Sequence, residues 1–175
     1  MGIYLRTATI ADSVQIARLV SGLGYPTAPA QMQKRLQTIL SNNDYATVVA
    51  CDGDTLVGFI GTRTGPLYED DGQYGQIMAL AVASDYQRQG IGRMLLQAAE
   101  SELMRYQISI LVVTSGNQRS DAHAFYERNG YAWTGRRYAR VPEPAGEEGT
   151  SGRSFMRHAT ASPKRGCRPP SGSNS

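Results

Sequence analysis

The chain has 175 residues, 41% apolar and 19% charged, which predicts one globular domain with an appendage. There is no apolar run of about 18 residues, no basic-then-apolar leader, and no Ser or Thr at Arg6 where a myristoylation motif needs one; a cytoplasmic protein with no membrane partner is expected. The net charge is +3, but residues 1–141 hold 13 Lys/Arg against 12 Asp/Glu, too even a balance for a dedicated nucleic-acid surface, and Cys51 and Cys167 suggest neither a disulfide framework nor a metal site.

Ile3–Arg6 reads as a first strand. Thr9-x-x-Asp12 is a capping box, and Val14, Ile16, Ala17, Leu19 and Val20 follow as a helix that Gly22 and Gly24 stop. Thr27 and Pro29 open a second helix carrying Met32, Leu36, Ile39 and Leu40. Tyr45–Cys51 and Thr55–Thr64 form a hairpin about Asp52-Gly53-Asp54. After a loop with Glu69, Asp70 and Asp71 comes a strand at Tyr74–Val82, whose apolar run from Ile77 predicts burial on both faces. Gly90–Tyr106 is the clearest helix, with Ile91, Met94, Leu95, Ala98, Ala99 and Leu103 on one face. Ile108–Val113 is a buried strand and Ser120–Arg128 a helix stopped by Asn129-Gly130. Tyr131–Val141 is expected as a last strand, with Trp133 and Tyr138 packed on the sheet and Arg136 and Arg137 along its edge. Pro, Gly and Ser supply 16 of the 34 residues from Pro142 to Ser175, the composition of a disordered tail in which Ser154-Phe155-Met156 is a candidate short strand.

The chemistry concentrates where Gln76–Val82 runs through Gln87-Arg88-Gln89-Gly90-Ile91-Gly92-Arg93 into a helix. Unpaired N–H groups at a helix start, with the helix dipole, make an anion site, and glycines let a phosphate approach the backbone. A P-loop needs Lys-Ser/Thr where Arg93-Met94 stand, and a dinucleotide fingerprint needs a small third residue where Leu95 stands. Both readings fail.

The arrangement Gln/Arg-x-x-Gly-x-Gly/Ala after a strand ending Leu80-Ala81-Val82 resembles the acetyl-CoA motif of the GNAT superfamily of N-acetyltransferases. So does Asn117-Gln118-Arg119 followed by a helix ending Phe125-Tyr126-Glu127-Arg128-Asn129-Gly130-Tyr131. The resemblance spans about residues 3–141 and implies an α/β fold: a mixed, mostly antiparallel sheet with flanking helices and splayed central strands. It implies acetyl-CoA as co-substrate, with the pyrophosphate on the N–H groups of Arg88, Gln89, Gly90, Ile91, Gly92 and Arg93 and the pantetheine arm along the backbone of Leu80, Ala81 and Val82. No metal is implied.

Tyr126 matches the family's tyrosine near the cofactor sulfur, a general acid for the leaving thiolate. Asn117 is the pantetheine contact, although the spacing to Tyr126 is two residues longer than the commonest and offers Arg119 the same place. The family's usual base carboxylate is missing: Gln76 stands in its place on the central strand, and Val112-Val113-Thr114 on the next. His123, Glu127, the acids at 69–71 acting through water, or a water chain on backbone carbonyls remain. The implied reaction is acetyl transfer to a primary amine by direct attack, the acceptor being a cationic small molecule or a peptide amine drawn by Tyr25, Tyr68 and the acidic loop. The alternative is an acyl-CoA-binding module without turnover. Many relatives are dimers, so a homodimer is one expectation.

Overall fold

Strands β1 (Ile3–Thr7), β2 (Tyr45–Asp52), β3 (Thr55–Pro66), β4 (Gln73–Val82) and β5 (Ile108–Val113) form one sheet in chain order. The computed structural model describes residues 2–135 and 138–140. The chain divides into units at 1–137 and 138–175, and the fold below is that of the first. The Pro/Gly/Ser-rich stretch from 142, the strand expected at 154–156, Cys167 and the pair at 136–137 lie outside the described residues.

The first four strands pair antiparallel and β5 joins β4 in parallel. The β2–β3 turn is the two residues between Asp52 and Thr55, and Gly53 takes φ +56°, the positive first position that a twist-matched two-residue hairpin requires. Parallel pairing needs a crossover. Helix α3 (Ile91–Leu103) supplies it, and helix α4 (Ser120–Arg128) follows β5.

Helices α1 (Ser13–Gly22) and α2 (Pro29–Leu40) cover one face, where Ile16, Ala17, Met32 and Leu36 pack with Val49, Cys51, Phe59 and Ala81. On the other face Ile91, Leu95, Leu96 and Ala99 of α3 pack with Ala50, Val57, Ile60 and Ile77. Each large side chain so buried contributes about 1.5–3 kcal/mol. Of the predicted apolar face of α3, Ile91, Leu95, Ala99 and Leu103 are buried, but Leu96 lies inside as well and Met94 is exposed.

Three further expectations fail. Ile108–Val113 forms a strand but is not buried: none of its residues is fully covered and Ile110 is 48% exposed. The run Ile77–Val82 is not buried on both faces. Met78 is 50% exposed because it is the extra residue of a bulge, Gly61 pairing with Ala79 and Thr62 with Ile77. Tyr131–Gly135 and 138–140 are not a strand, and Trp133 is 78% exposed rather than packed on the sheet. Tyr131 instead turns inward as α4 ends, and its hydroxyl donates to Glu100 at 2.8 Å. That contact anchors the chain to α3 and away from a ladder on β5.

Candidate active site

The site begins with the bulge at Met78. β5 pairs with β4 only over Gln73–Ile77, and from Ala79 to Val82 the β5-facing edge of β4 has no strand beside it among the described residues. Ala83 N–H donates to Val57 at 2.8 Å, and Ala81 lies opposite Phe59. Antiparallel alternation therefore turns the backbone of Ala81 toward β3 and the N–H and C=O groups of Leu80 and Val82 toward the gap. Gln87 donates Nε2–H to the Val82 carbonyl at 3.1 Å, which leaves Leu80 and the Val82 N–H as the open groups.

The anion turn follows directly. A 3-10 turn at Ser84–Tyr86 leads into Gln87, and Arg88 and Gly90 take φ +60° and +86°. A positive φ costs an ordinary residue roughly 1–2 kcal/mol, so Gly90 suits its place while Arg88 holds strain. Bracing within the turn sustains that strain: Gln89 donates to the Asp85 carbonyl at 2.9 Å, and Tyr86 donates its hydroxyl to Asp52 at 3.2 Å. The carboxylate of Asp52 beside it raises the Tyr86 pKa. Gly90 caps α3, and its carbonyl accepts from Met94 at 3.0 Å. The N–H groups of Ile91, Gly92 and Arg93 then have no acceptor in the helix. Ile91 contributes only backbone, since its side chain is core. Arg88, Gln89 and Arg93 are exposed, and neither arginine is ion-paired among the described residues.

Tyr126 packs edge-on to Phe125 and Tyr131, with ring centroids 5.2 and 5.6 Å away. It joins the core cluster that also takes Leu80 and Val82, so α4 brings it to the sheet face beside the gap. Burial raises its pKa and Arg119 partly opposes that. Its hydroxyl makes no hydrogen bond among the described residues, and a phenol held protonated in this way has a proton to give. Asn117 is exposed in the β5–α4 loop and Arg119 caps α4.

The candidate bases differ in their settings. His123 Nε2 lies 3.0 Å from the Gly116 carbonyl, which can only accept, so the ring ties α4 to its preceding loop through Nε2–H. Glu127 is exposed. Asp70 and Asp71 line an open cavity of about 420 Å³ with Tyr106 and Ser109, at the start of β4 and far along the strand from Leu80. No His/Cys/Asp/Glu group among the described residues could hold a metal, and no described helix is long and apolar enough to cross a membrane.

Sequence reasoning missed the Asp52–Tyr86 tie, the Gln87–Val82 bond and two buried donors without partners, Ser115 Oγ and Arg63 Nε. These pairings join residues distant in sequence or depend on strand register, and no local pattern signals them.

The model of the Acetyltransferase (GNAT) family matches residues 14–131. The chain belongs to the GNAT acetyltransferase family. A GNAT family acetyltransferase from Staphylococcus aureus superposes with a TM-score of 0.70 at 26% identity, covering 81% of this chain and 100% of that one. A ribosomal-protein-alanine N-acetyltransferase from Brucella melitensis gives 0.66 at 18% identity, with 80% and 99% covered. A glucosamine-6-phosphate N-acetyltransferase from Arabidopsis thaliana gives 0.69 at 14%, with 82% and 100% covered. The latter two likenesses speak to the fold alone. No curated protein matches the sequence. The sheet and its flanking helices are those of this GNAT fold, as expected from the sequence, and the family supports an acyltransferase.

Proposed function

We propose that this protein is an acetyl-CoA-dependent N-acetyltransferase acting on a primary amine by direct attack. The observation that carries this is the gap beside Leu80 and Val82, opening next to the unpaired N–H groups of Ile91–Arg93. An extended arm with a pyrophosphate at one end and a thioester at the other has the shape of that pair of features. Arg88 and Arg93 add charge at the phosphate end, and Asn117, exposed in the loop before α4, is the residue offered to the arm's amides.

The Leu80 N–H faces the place where charge develops on the acetyl oxygen, a preorganised donor in a partly dry cleft. The amine nitrogen attacks the acetyl carbon, the C–S bond breaks, and Tyr126 gives its proton to the departing sulfur. The amine's proton leaves to water held on backbone carbonyls, since Gln76 is an amide and cannot take it. The products are the N-acetyl amine and free coenzyme A.

That amide is also what favours a second reading, acyl-CoA binding without turnover. Thiol release from acetyl-CoA in the presence of an amine panel decides between them. Binding with release supports the enzyme; tight binding with no release on any amine, peptides included, supports the binding module.

A further inference from the structure

The α1/α2 face of the sheet carries a half-buried cation that has no ion pair among the described residues. Steps of two residues from the core positions Val49 and Phe59 put Tyr45 and Arg63 on that face, and cross-strand register puts Gln76 beside Arg63. Arg63 is half-buried, and its guanidinium carbon sits 5.6 Å over the Tyr45 ring. Its Nε is wholly covered and has no partner. Its two Nη atoms make no hydrogen bond or ion pair among the described residues, yet they are not covered, so a ligand can reach them. Asp44, which precedes β2, forms no ion pair with it. A cation–π contact offsets part of the charge but uses none of the five guanidinium donors. A half-buried guanidinium without a carboxylate is costly to keep, and a planar anion meets it with two parallel bonds.

We propose that Arg63 is a specificity residue that binds an acidic group on the acceptor, so that the substrate is an amine bearing a carboxylate or phosphate. The Gln76 amide beside it, with no hydrogen bond among the described residues, donates to the same group. Arg63 stands three residues along β3 from Ile60, the partner of Leu80. The acid therefore lies roughly 10 Å from the reacting nitrogen. This rests on the acetyltransferase reading and reverses the charge expected of the acceptor from the acidic loop, where Asp70 and Asp71 line a cavity at the start of β4.

The test uses matched pairs: ω-amino acids of four to eight carbons against their neutral primary amides, with thiol release as the readout. The proposal predicts at least about tenfold higher kcat/KM for the acids, greatest near seven or eight carbons. Arg63→Gln should abolish that preference through KM with kcat retained, and Arg63→Lys should keep part of it. Acetyl-CoA affinity, titrated by calorimetry, should be unchanged in both variants. Equal kcat/KM for acid and amide in the wild-type protein overturns the proposal, as does a preference that survives in Arg63→Gln. If neither is turned over, binding of each to the coenzyme A-loaded protein is titrated instead; tighter binding of the acids supports the proposal, and equal or no binding overturns it. Loss of acetyl-CoA binding by the wild type would instead overturn the acetyltransferase reading on which it rests.

Discussion

The Tyr86 hydroxyl donates to the Asp52 carboxylate at 3.2 Å, and this bond ties the turn that delivers Gly90 to the β2–β3 hairpin. One residue lies just before the anion turn and the other ends a strand two places away in the sheet. The second carboxylate oxygen of Asp52 is buried without a partner, so this bond is the only one its side chain makes among the described residues. Tyr86→Phe should raise the acetyl-CoA dissociation constant about three- to tenfold and leave kcat nearly unchanged. Calorimetry and steady-state kinetics on the same variant check both halves.

Gly90 takes φ +86° with no atom within 4 Å of an added Cβ. Gly90→Ala therefore costs backbone strain alone, about 1–2 kcal/mol, or a fall in Tm of roughly 2–8 °C for a chain of this size. Gly92 has an ordinary helical φ, and its added Cβ would touch the Phe125 ring at 3.4 Å. Gly92→Ala should melt close to wild type. Thermal unfolding of the two variants side by side separates these cases.

Tyr126→Phe should lower kcat about 10²-fold while the acetyl-CoA dissociation constant stays within about twofold. Burial raises the tyrosine's pKa, and the acid works only while protonated. The rate should therefore show no decline from this group up to pH 9. A basic limb below pH 9 that disappears in Tyr126→Phe would contradict the assignment.

Arg6 grips the buried Asp12 carboxylate with two bonds of 2.7 and 2.8 Å, and Thr9 donates to the same group at 2.7 Å. Arg6 foremost, then the Thr9 bonds, hold the Asp12 pKa below its ordinary value against the cost of burial. A depressed folded pKa means the stabilisation is complete above the unfolded value near 4 and is lost as pH falls through the lower folded value. Asp12→Asn should cost about 2 kcal/mol at pH 7, discounted because the Arg6 side chain is 37% exposed, and Tm should fall about 4–8 °C. The difference from wild type should shrink below pH 4, which melts across a pH series would reveal.

The periodicities locate β1, both N-terminal helices, the hairpin and α3 because each depends on a local pattern: a capping box at Thr9, Pro29 opening α2, Gly53 in the turn. The glycine turn is legible for the same reason, since strand, Gly90 and amphipathic helix are adjacent in sequence. The bulge at Met78 is not legible, because an apolar run reads alike whether one residue is left unpaired or none. Arg63 is equally silent. Its meaning depends on Tyr45 and Gln76 lying beside it, on strands that pair only in the folded sheet. The expected strand from Tyr131 fails for the same reason, since the commitment of Tyr131 to Glu100 joins residues 31 apart in sequence.

The most direct test of the account is a calorimetric titration of acetyl-CoA into the full chain. One site per chain is predicted, with affinity reduced at least about tenfold when Arg88 and Arg93 are both replaced by Ala. No heat of binding at millimolar acetyl-CoA, with the protein folded by its melting transition, would contradict the assignment of the Gly90 turn and the Leu80–Val82 gap as its site.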